Sequence, residues 1–260
     1  METIDFSVEG AVARLVLNRP EAGNTLNSTM ARELMAAAVR CDEDRAIRAV
    51  LLTGAGPVFS FGGDLKHFRE QAESIGPLVK EITTYLHAAI SRFTRMGKPL
   101  VVAVNGTAAG AGVSLAIMGD VVLAAQSATF TIAYTSVGLS PDGGSTFLLP
   151  RLIGQRRTQE LMFTNRTLTA DEAAQWGLIT RAVPDAVLKA ESEKLAAALA
   201  AGPTMAFGTV KSLLADTTAT TLETQMEMEA RGIARNAQSA DGREGVSAFI
   251  DKRKPRYQGY

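Results

Sequence analysis

KPLVVAVNGTAAGAGVSLAIMGDVVLAAQSATFTIAYTSVGLSPDGGSTFLLPRLIG, residues 98–154, is the stretch around which the rest of this chain is organised. It begins as a nearly continuous apolar run, passes through small residues between Gly106 and Gly112, and ends in the turn SPDGG at 140–144. The apolar run predicts a buried strand at 100–104. Asp142 is a lone carboxylate among glycines, so we expect any chemistry to lie between the two glycine-rich features.

Length and charge limit the classes of function. The chain has 260 residues, which suits one large domain or a domain with an appendage. Lys plus Arg and Asp plus Glu both number 27, so no net charge attracts nucleic acid or an anionic membrane. We therefore expect neither as a partner, and an anionic ligand would need a local cluster of cations.

Cysteine usage and the first residues indicate a cytoplasmic protein. Cys41 is the single cysteine and has no partner for an internal disulfide, and the first residues lack the basic start and apolar core of a signal peptide. Residues 99–119 carry no charge and are long enough to suggest a membrane span. Asn105, four glycines and a strand-like run predict instead a buried strand, a turn and a buried helix.

Periodicity and turn residues predict an α/β core followed by helices. Strands are predicted at 12–17, 49–53 and 100–104, with a helix capped by Asn27 or Ser28 between the first two. Thr169-Ala-Asp-Glu172 predicts a capping box for a helix that stops near Gly177. The remaining predicted helices are 67–97 with an interruption at Gly76-Pro77, 186–201, and 203–235, and no strand is expected in the last third.

Three familiar motifs do not hold for this chain. The third glycine of a dinucleotide fingerprint starting at Gly110 would fall on Leu115, and no acidic residue stands near position 130. Ser114 resembles the serine of a nucleophile elbow, but both histidines, His67 and His87, precede it. We therefore expect Ser114 to be a small helix residue lining a pocket. Cys41 and the two histidines do not have metal-binding spacing, so no metal site is predicted.

Two glycine-containing segments remain as candidates for chemistry. In FSFGGDLK, residues 59–66, the paired glycines allow backbone N–H groups to face a ligand, and Asp64 suits the first turn of a helix. The segment PDGG at 141–144 is ordinary turn chemistry by itself. Apolar residues flank it on both sides, so we expect the turn to lie against the core. A carboxylate partly removed from water there becomes a usable base.

Five segments resemble, in order and spacing, the crotonase (enoyl-CoA hydratase/isomerase) superfamily. They are FSFGGDLK (59–66), VNGTAAGAGVSLAIMGD (104–120), GLSPDGGSTFLLPRLIG (138–154), ADEAAQWGLITRAV (170–183) and REGVSAFIDKRKPRYQG (243–259). The resemblance implies a crotonase-type spiral of ββα turns in residues 1–200 and a C-terminal α-helical trimerisation region in residues 201–260. It also implies a homotrimer or a dimer of trimers.

The resemblance implies an acyl-CoA thioester as substrate, with coenzyme A as part of the substrate and no separate cofactor. The thioester oxygen would accept hydrogen bonds from the backbone N–H groups of Gly63 and Ala111, which form an oxyanion hole. Lys252 or Arg253, of the same or a neighbouring subunit, would lie near the CoA phosphates. The residues expected to contact the substrate are Ala22, Gly23, Phe61, Gly62, Asp64, Leu65, Gly110, Ser114, Tyr134, Gly138 and Lys252.

Departures from the family pattern indicate the reaction. Hydratases of this family carry two glutamates where this chain has Ser114 and Tyr134, and neither of these residues is a carboxylate base. Asp142 matches the acid/base carboxylate of the enoyl-CoA isomerases, and the segment around it is most similar to the 1,2-epoxyphenylacetyl-CoA isomerase branch. We therefore predict an acyl-CoA isomerase that shifts a double bond or opens a ring epoxide, with Asp142 as the single acid/base.

The sequence leaves several further functions open. The 4-chlorobenzoyl-CoA dehalogenases also place an aspartate at the position of Asp142, with a histidine and a tryptophan at the positions of His87 and Tyr134. The tryptophan is absent here, and we expect His87 to have a packing or surface role on its helix. Hydratase-like activity, thioester hydrolysis and a catalytically silent CoA-binding protein are equally compatible with the family resemblance.

Overall fold

Ten strands form two sheets. The computed structural model describes residues 1–260. The larger sheet has the order β1-β2-β3-β5-β7-β10, with only β1 and β2 antiparallel, and the smaller has the order β4-β6-β8-β9, with only β8 and β9 antiparallel. The strands are β1 (Ile4–Glu9), β2 (Val12–Leu17), β3 (Ala49–Gly54), β4 (Val58–Ser60), β5 (Leu100–Val104), β6 (Thr107–Ala109), β7 (Val121–Ala125), β8 (Thr129–Thr131), β9 (Leu168–Thr169) and β10 (Arg181–Val183).

Eleven α-helices accompany the sheets. They are α1 (Ser28–Glu43), α2 (Leu65–Glu70), α3 (Ile75–Arg95), α4 (Ala111–Ile117), α5 (Ser145–Ile153), α6 (Gln155–Thr164), α7 (Ala170–Trp176), α8 (Asp185–Ala200), α9 (Thr204–Asp216), α10 (Leu222–Gln238) and α11 (Ala240–Ile250). The last three form the C-terminal helical region that the sequence predicts.

Successive turns of the chain contribute one strand to each sheet. β3 leads into β4, β5 into β6 and β7 into β8, and a helix follows each pair. The first two corners are stacked: a Cβ on Gly106 would lie 2.0 Å from the carbonyl oxygen of Pro57. The Asn105 amide joins the corners by accepting from the N–H of Gly54 (3.0 Å) and donating to the carbonyl of Gly56 (2.8 Å). The structure thus confirms the predicted spiral of ββα turns.

The core forms one cluster of 50 buried residues. All five residues of β5 are buried, as expected for a central strand of a parallel sheet covered on both faces. Residues 99–119 are the buried strand, turn and buried helix that the sequence predicts, with the short strand β6 added at the turn. None of the helices is both long enough and apolar enough to cross a membrane.

Most local predictions are confirmed. The three predicted strands are β2, β3 and β5, and Asn27 caps α1 by accepting from the N–H of Met30. Thr169 and Glu172 form the predicted capping box of α7, which ends at Gly177. The predicted helix at 186–201 is α8, one residue earlier.

Four predictions are wrong. The first strand, β1, was not predicted, although Ile4, Phe6 and Val8 alternate with polar residues as strands do. The break in 67–97 lies at residues 71–74, and Gly76-Pro77 sits in the first turn of α3, where proline has no N–H to lose. Residues 203–235 form two helices with a break at 217–221, and the last third contains β10, a strand of the larger sheet.

Candidate active site

The loop after β4 presents the backbone N–H of Gly63. Leu26 pairs with this loop as a parallel strand does: its N–H donates to the carbonyl of Gly62 (2.7 Å), and its carbonyl accepts from the N–H of Asp64 (3.1 Å). In a parallel pairing the residue between those two turns its own N–H to the opposite side. The N–H of Gly63 therefore faces away from Leu26, and it makes no hydrogen bond within the chain.

The loop after β6 presents the N–H of Ala111. Ala111 is the first residue of α4, so this N–H has no acceptor within the helix. Gly110, just before it, has φ of +51° and donates its own N–H to the carbonyl of Thr131 (3.0 Å). The loop therefore turns sharply at Gly110 and leaves the next N–H available to a ligand.

The two loops touch through their backbones. Gly62 has φ of +82°, and a Cβ there would lie 2.6 Å from the carbonyl oxygen of Ala109 and 2.8 Å from the nitrogen of Ala111. A Cβ on Gly112 would lie 2.2 Å from the carbonyl oxygen of Ser60. Only glycine fits at both positions, so two free N–H groups are held on neighbouring loops where one oxygen can accept from both.

Asp64 holds the first loop in place. One carboxylate oxygen accepts from the N–H of His67 (3.2 Å) as the N-cap of α2, and the other from Nη1 of Arg19 (3.0 Å). Burial by itself would raise the pKa of Asp64, but the His67 hydrogen bond and the Arg19 guanidinium lower it below its usual value. Both oxygens are thus engaged within the chain. Whether Asp64 also contacts the substrate stays a prediction.

Asp142 lies on a turn that is packed against α4. Its backbone carbonyl accepts from the hydroxyls of Ser114 (3.1 Å) and Ser145 (2.8 Å). Gly143 is buried with φ of +61°, and a Cβ on it would lie 2.7 Å from Cβ of Ser114. The prediction that this turn lies against the core is confirmed. Because Ser114 is three residues after Ala111, the turn lies about one helical turn from the Ala111 N–H.

Two side chains from other elements meet the Asp142 turn. The phenol of Tyr134 donates a hydrogen bond to Oδ1 of Asp142, while Oδ2 makes no hydrogen bond within the chain. Burial raises the pKa of Tyr134 well above its usual value, and the charge of Asp142 raises it further, so the phenol stays protonated. From α3, Nε2 of His87 accepts from the N–H of Gly143 (3.1 Å). His87 is solvent-exposed, but its role is wider than the packing or surface role predicted for it.

The remaining predicted residues lie in three places. Gly23 and Phe61 are in contact, since the Phe61 N–H donates to the Gly23 carbonyl (3.0 Å) and the ring covers the Gly23 Cα, with Ala22 next to them. Phe61 and Leu65 are each 49% exposed on either side of Gly62–Asp64. Gly138 ends the short 3-10 helix that follows Tyr134.

Lys252 is exposed in the turn after α11, with φ of +53°. Its neighbour Arg253 is paired with Glu244 at 2.6 and 2.9 Å. No hydrogen bond joins either cation to the loops of the site within one chain. In the residues described, no three His, Cys, Asp or Glu side chains lie close enough together to hold a metal ion.

Residues 7–260 match the model of the family described as enoyl-CoA hydratase/isomerase. The chain belongs to this family. Its two N–H loops and its fold are therefore those of the crotonase superfamily, as the sequence predicts. The site also contains two residues that the sequence analysis did not select, Arg19 and Ser145. Both lie in segments that it quoted or used to bound the resemblance, but a short polar side chain in a motif does not reveal which atom it will contact.

Relatives of the chain have different activities. The chain is 40% identical to the 1,2-epoxyphenylacetyl-CoA isomerase of Escherichia coli (strain K12), over 100% of this chain and 99% of that protein. It is 34% identical to the 4-chlorobenzoyl coenzyme A dehalogenase-2 of an Arthrobacter species, over 93% and 88%. The crystal structure of an enoyl-CoA hydratase from Polaromonas sp. JS666 superposes with a TM-score of 0.93 at 32% identity, over 98% and 99%.

Proposed function

We propose that this protein is an acyl-CoA isomerase that works through an enolate, with Asp142 as its single acid/base. The N–H groups of Gly63 and Ala111 hold the thioester oxygen while Asp142 removes a proton from one carbon and returns it to another. Two fixed donors stabilise the negative charge that develops on that oxygen, and removal of one such donor typically costs about 10²- to 10³-fold in rate.

The observation that carries this proposal is the state of the two carboxylates near the loops. Both oxygens of Asp64 are engaged by Arg19 and by the N–H of His67. Asp142 keeps Oδ2 without a hydrogen bond in the chain, one helical turn from Ala111. Asp142 is therefore the carboxylate that is placed to exchange a proton with a bound thioester.

Ser114 and Tyr134 support isomerisation over hydration. Activation of water requires a group that takes up its proton, and Ser114 instead donates its hydroxyl to the carbonyl of Asp142. The pKa of Tyr134 is raised by burial and by Asp142, so the phenol does not become a base near neutral pH. A carboxylate that works alone suffices for an isomerase, because the same group removes and returns the proton.

The acyl group and the assembly follow from the same proposal. An isomerase with this site would shift a double bond or open a ring epoxide, and similarity to the Escherichia coli isomerase favours the second reaction as one to assay. We also propose the homotrimer or dimer of trimers and the cytoplasmic location that the sequence predicts. Exposed apolar residues on the C-terminal helices support an assembly: Val210, Leu214, Leu222, Met226, Ile233, Val246, Phe249 and Ile250.

The test compares two reactions in two proteins. Wild type should move the double bond of a 3-enoyl-CoA into conjugation, followed by the absorbance of the conjugated thioester, and Asp142→Asn should lose at least about 10³-fold in kcat. Crotonyl-CoA serves as the hydration substrate. Conversion of crotonyl-CoA to its 3-hydroxy product by Asp142→Asn would contradict the single-carboxylate mechanism. No turnover of any acyl-CoA by wild type would indicate a silent CoA-binding protein.

A second candidate is dehalogenation or thioester hydrolysis, in which Asp142 is a nucleophile. The position of His87 favours it, since Nε2 lies against the N–H of Gly143, next to Asp142. A histidine there is placed near a water that attacks a covalent intermediate. Chloride release from 4-chlorobenzoyl-CoA, or free CoA from its unsubstituted analogue, would favour this candidate over the isomerase.

A further inference from the structure

Tyr134 sits on a strained piece of backbone directed at the Asp142 turn. The residue before it, Ala133, has φ of +58°, a left-handed conformation that costs a residue with a Cβ about 1 to 2 kcal/mol. After Tyr134, the N–H of Leu139 returns to its carbonyl (3.0 Å) and closes the 3-10 turn Thr135–Val137. Strain of this kind persists where the surrounding structure needs the resulting geometry.

The phenol is a permanent hydrogen-bond donor to the carboxylate. It is buried, it donates to Oδ1 of Asp142, and the hydroxyl of Ser114 lies within hydrogen-bonding reach of it from α4. Because burial and the charge of Asp142 raise the pKa of Tyr134, the phenol does not release its proton in the working pH range. It can therefore orient a carboxylate, but it cannot replace one.

We infer that Tyr134 is a positioning residue that leaves Oδ2 of Asp142 as the one oxygen for proton transfer and keeps the carboxylate in its charged form. This inference rests on the proposed isomerase. In the first step a C–H bond breaks and an Oδ2–H bond forms, and the electron pair moves into the enolate whose oxygen meets the N–H groups of Gly63 and Ala111. In the second step Oδ2–H breaks and a new C–H bond forms, while Tyr134 keeps its proton throughout.

A wall residue of the acyl pocket would behave differently from a positioning residue. Its removal would change how tightly the substrate binds, and therefore KM, without changing the proton transfer. Removal of a donor to Oδ1 would let the carboxylate rotate away from its productive direction and would disfavour the charged form. The two roles thus separate in kcat and in the pH dependence of kcat.

The test is Tyr134→Phe, which keeps the ring and removes only the hydroxyl. We expect kcat for isomerisation to fall by about 10- to 100-fold with KM within about twofold. The acid limb of the kcat profile should move up by about one pH unit, since the donor no longer stabilises the carboxylate. Tyr260→Phe is the matched control, because it removes a phenol that donates to Gln258 on the exposed C-terminal tail, and its kinetics should equal those of wild type.

A second readout does not depend on turnover. The chain has four tyrosines, so ¹³Cζ-tyrosine NMR gives four ring signals, and Tyr134→Phe identifies one of them. That signal should shift in Asp142→Asn, because the phenol then donates to a neutral amide. An unshifted signal would overturn the inference, and so would a Tyr134→Phe enzyme with changed KM but unchanged kcat and pH profile. If wild type isomerises nothing, the proposed function fails, and the NMR signal still decides whether Tyr134 is coupled to Asp142.

Discussion

The two halves of the candidate site are built from different parts of the chain. The N–H groups of Gly63 and Ala111 are backbone atoms, and strand pairing together with close backbone contact at Gly62 and Gly112 determines where they point. The carboxylate of Asp142 is a side chain on a turn, and hydroxyls and a ring nitrogen from three other places in the chain hold that turn. The first half therefore tolerates no added Cβ, whereas the second is held by several contacts that can be removed one at a time.

The largest effect is expected where the backbone contact is broken. Gly62→Ala places a Cβ 2.6 Å from the carbonyl of Ala109, so the loops must separate and the two N–H groups no longer converge. We expect kcat/KM to fall by about 100-fold, as for loss of one oxyanion donor. Steady-state kinetics and thermal unfolding of the purified variant measure the two consequences.

Gly10→Ala is the control for that variant. Gly10 also has a positive φ, +59°, but nothing lies within 4 Å of its added Cβ. Its expected cost is therefore the conformational strain alone, about 1 kcal/mol of stability with unchanged kinetics. Equal activity of Gly62→Ala and Gly10→Ala would mean that the contact between the loops is not needed.

An intermediate effect is expected at Asp64, a side chain that supports the backbone half. The pKa of Asp64 is lowered in the folded protein, so its carboxylate contributes stability above the unfolded value of about 3.9 and loses that contribution as pH falls through the folded value. Asp64→Asn should reduce the free energy of unfolding by about 2 kcal/mol at pH 7. The difference from wild type should shrink below about pH 4.

Urea unfolding at pH 7, 5 and 3 measures that difference. Asp5→Asn is the comparison variant, because Asp5 is exposed and accepts only from the Asn18 side chain, so its effect should stay within about 0.5 kcal/mol. An Asp64→Asn deficit that is as large at pH 3 as at pH 7 would show that the charge is not the source.

The smallest effect is expected at Ser145, in the half held by side chains. Ser145 and Ser114 donate to the same carbonyl of Asp142, so either hydroxyl can hold the turn when the other is missing. Ser145→Ala should lower kcat by about threefold, and Ser114→Ala/Ser145→Ala by clearly more than the product of the single changes. Multiplicative effects of the two changes would mean that the hydroxyls act independently.

The sequence predicted the backbone half of the site more completely than the side-chain half. FSFGGDLK and the glycines at 110 and 112 mark positions where a Cβ does not fit, and this requirement is visible in a sequence because only one residue type meets it. The contact of His87 with Gly143 joins residues 56 apart, and an exposed histidine on a helix gives no sign of it. Likewise β10 was missed because three residues carry too little pattern to predict a strand.

By itself, the sequence determined the buried strands, the turns between them and the glycines that let two loops meet, because each of these depends on residue type and local periodicity. Only the tertiary structure decided which oxygen of Asp142 is engaged and by what. Tyr134, Ser114 and His87 lie 8, 28 and 56 residues from the turn that they hold. Hydrogen bonds between side chains of separate elements depend on how those elements pack, and no local pattern in the chain encodes that packing.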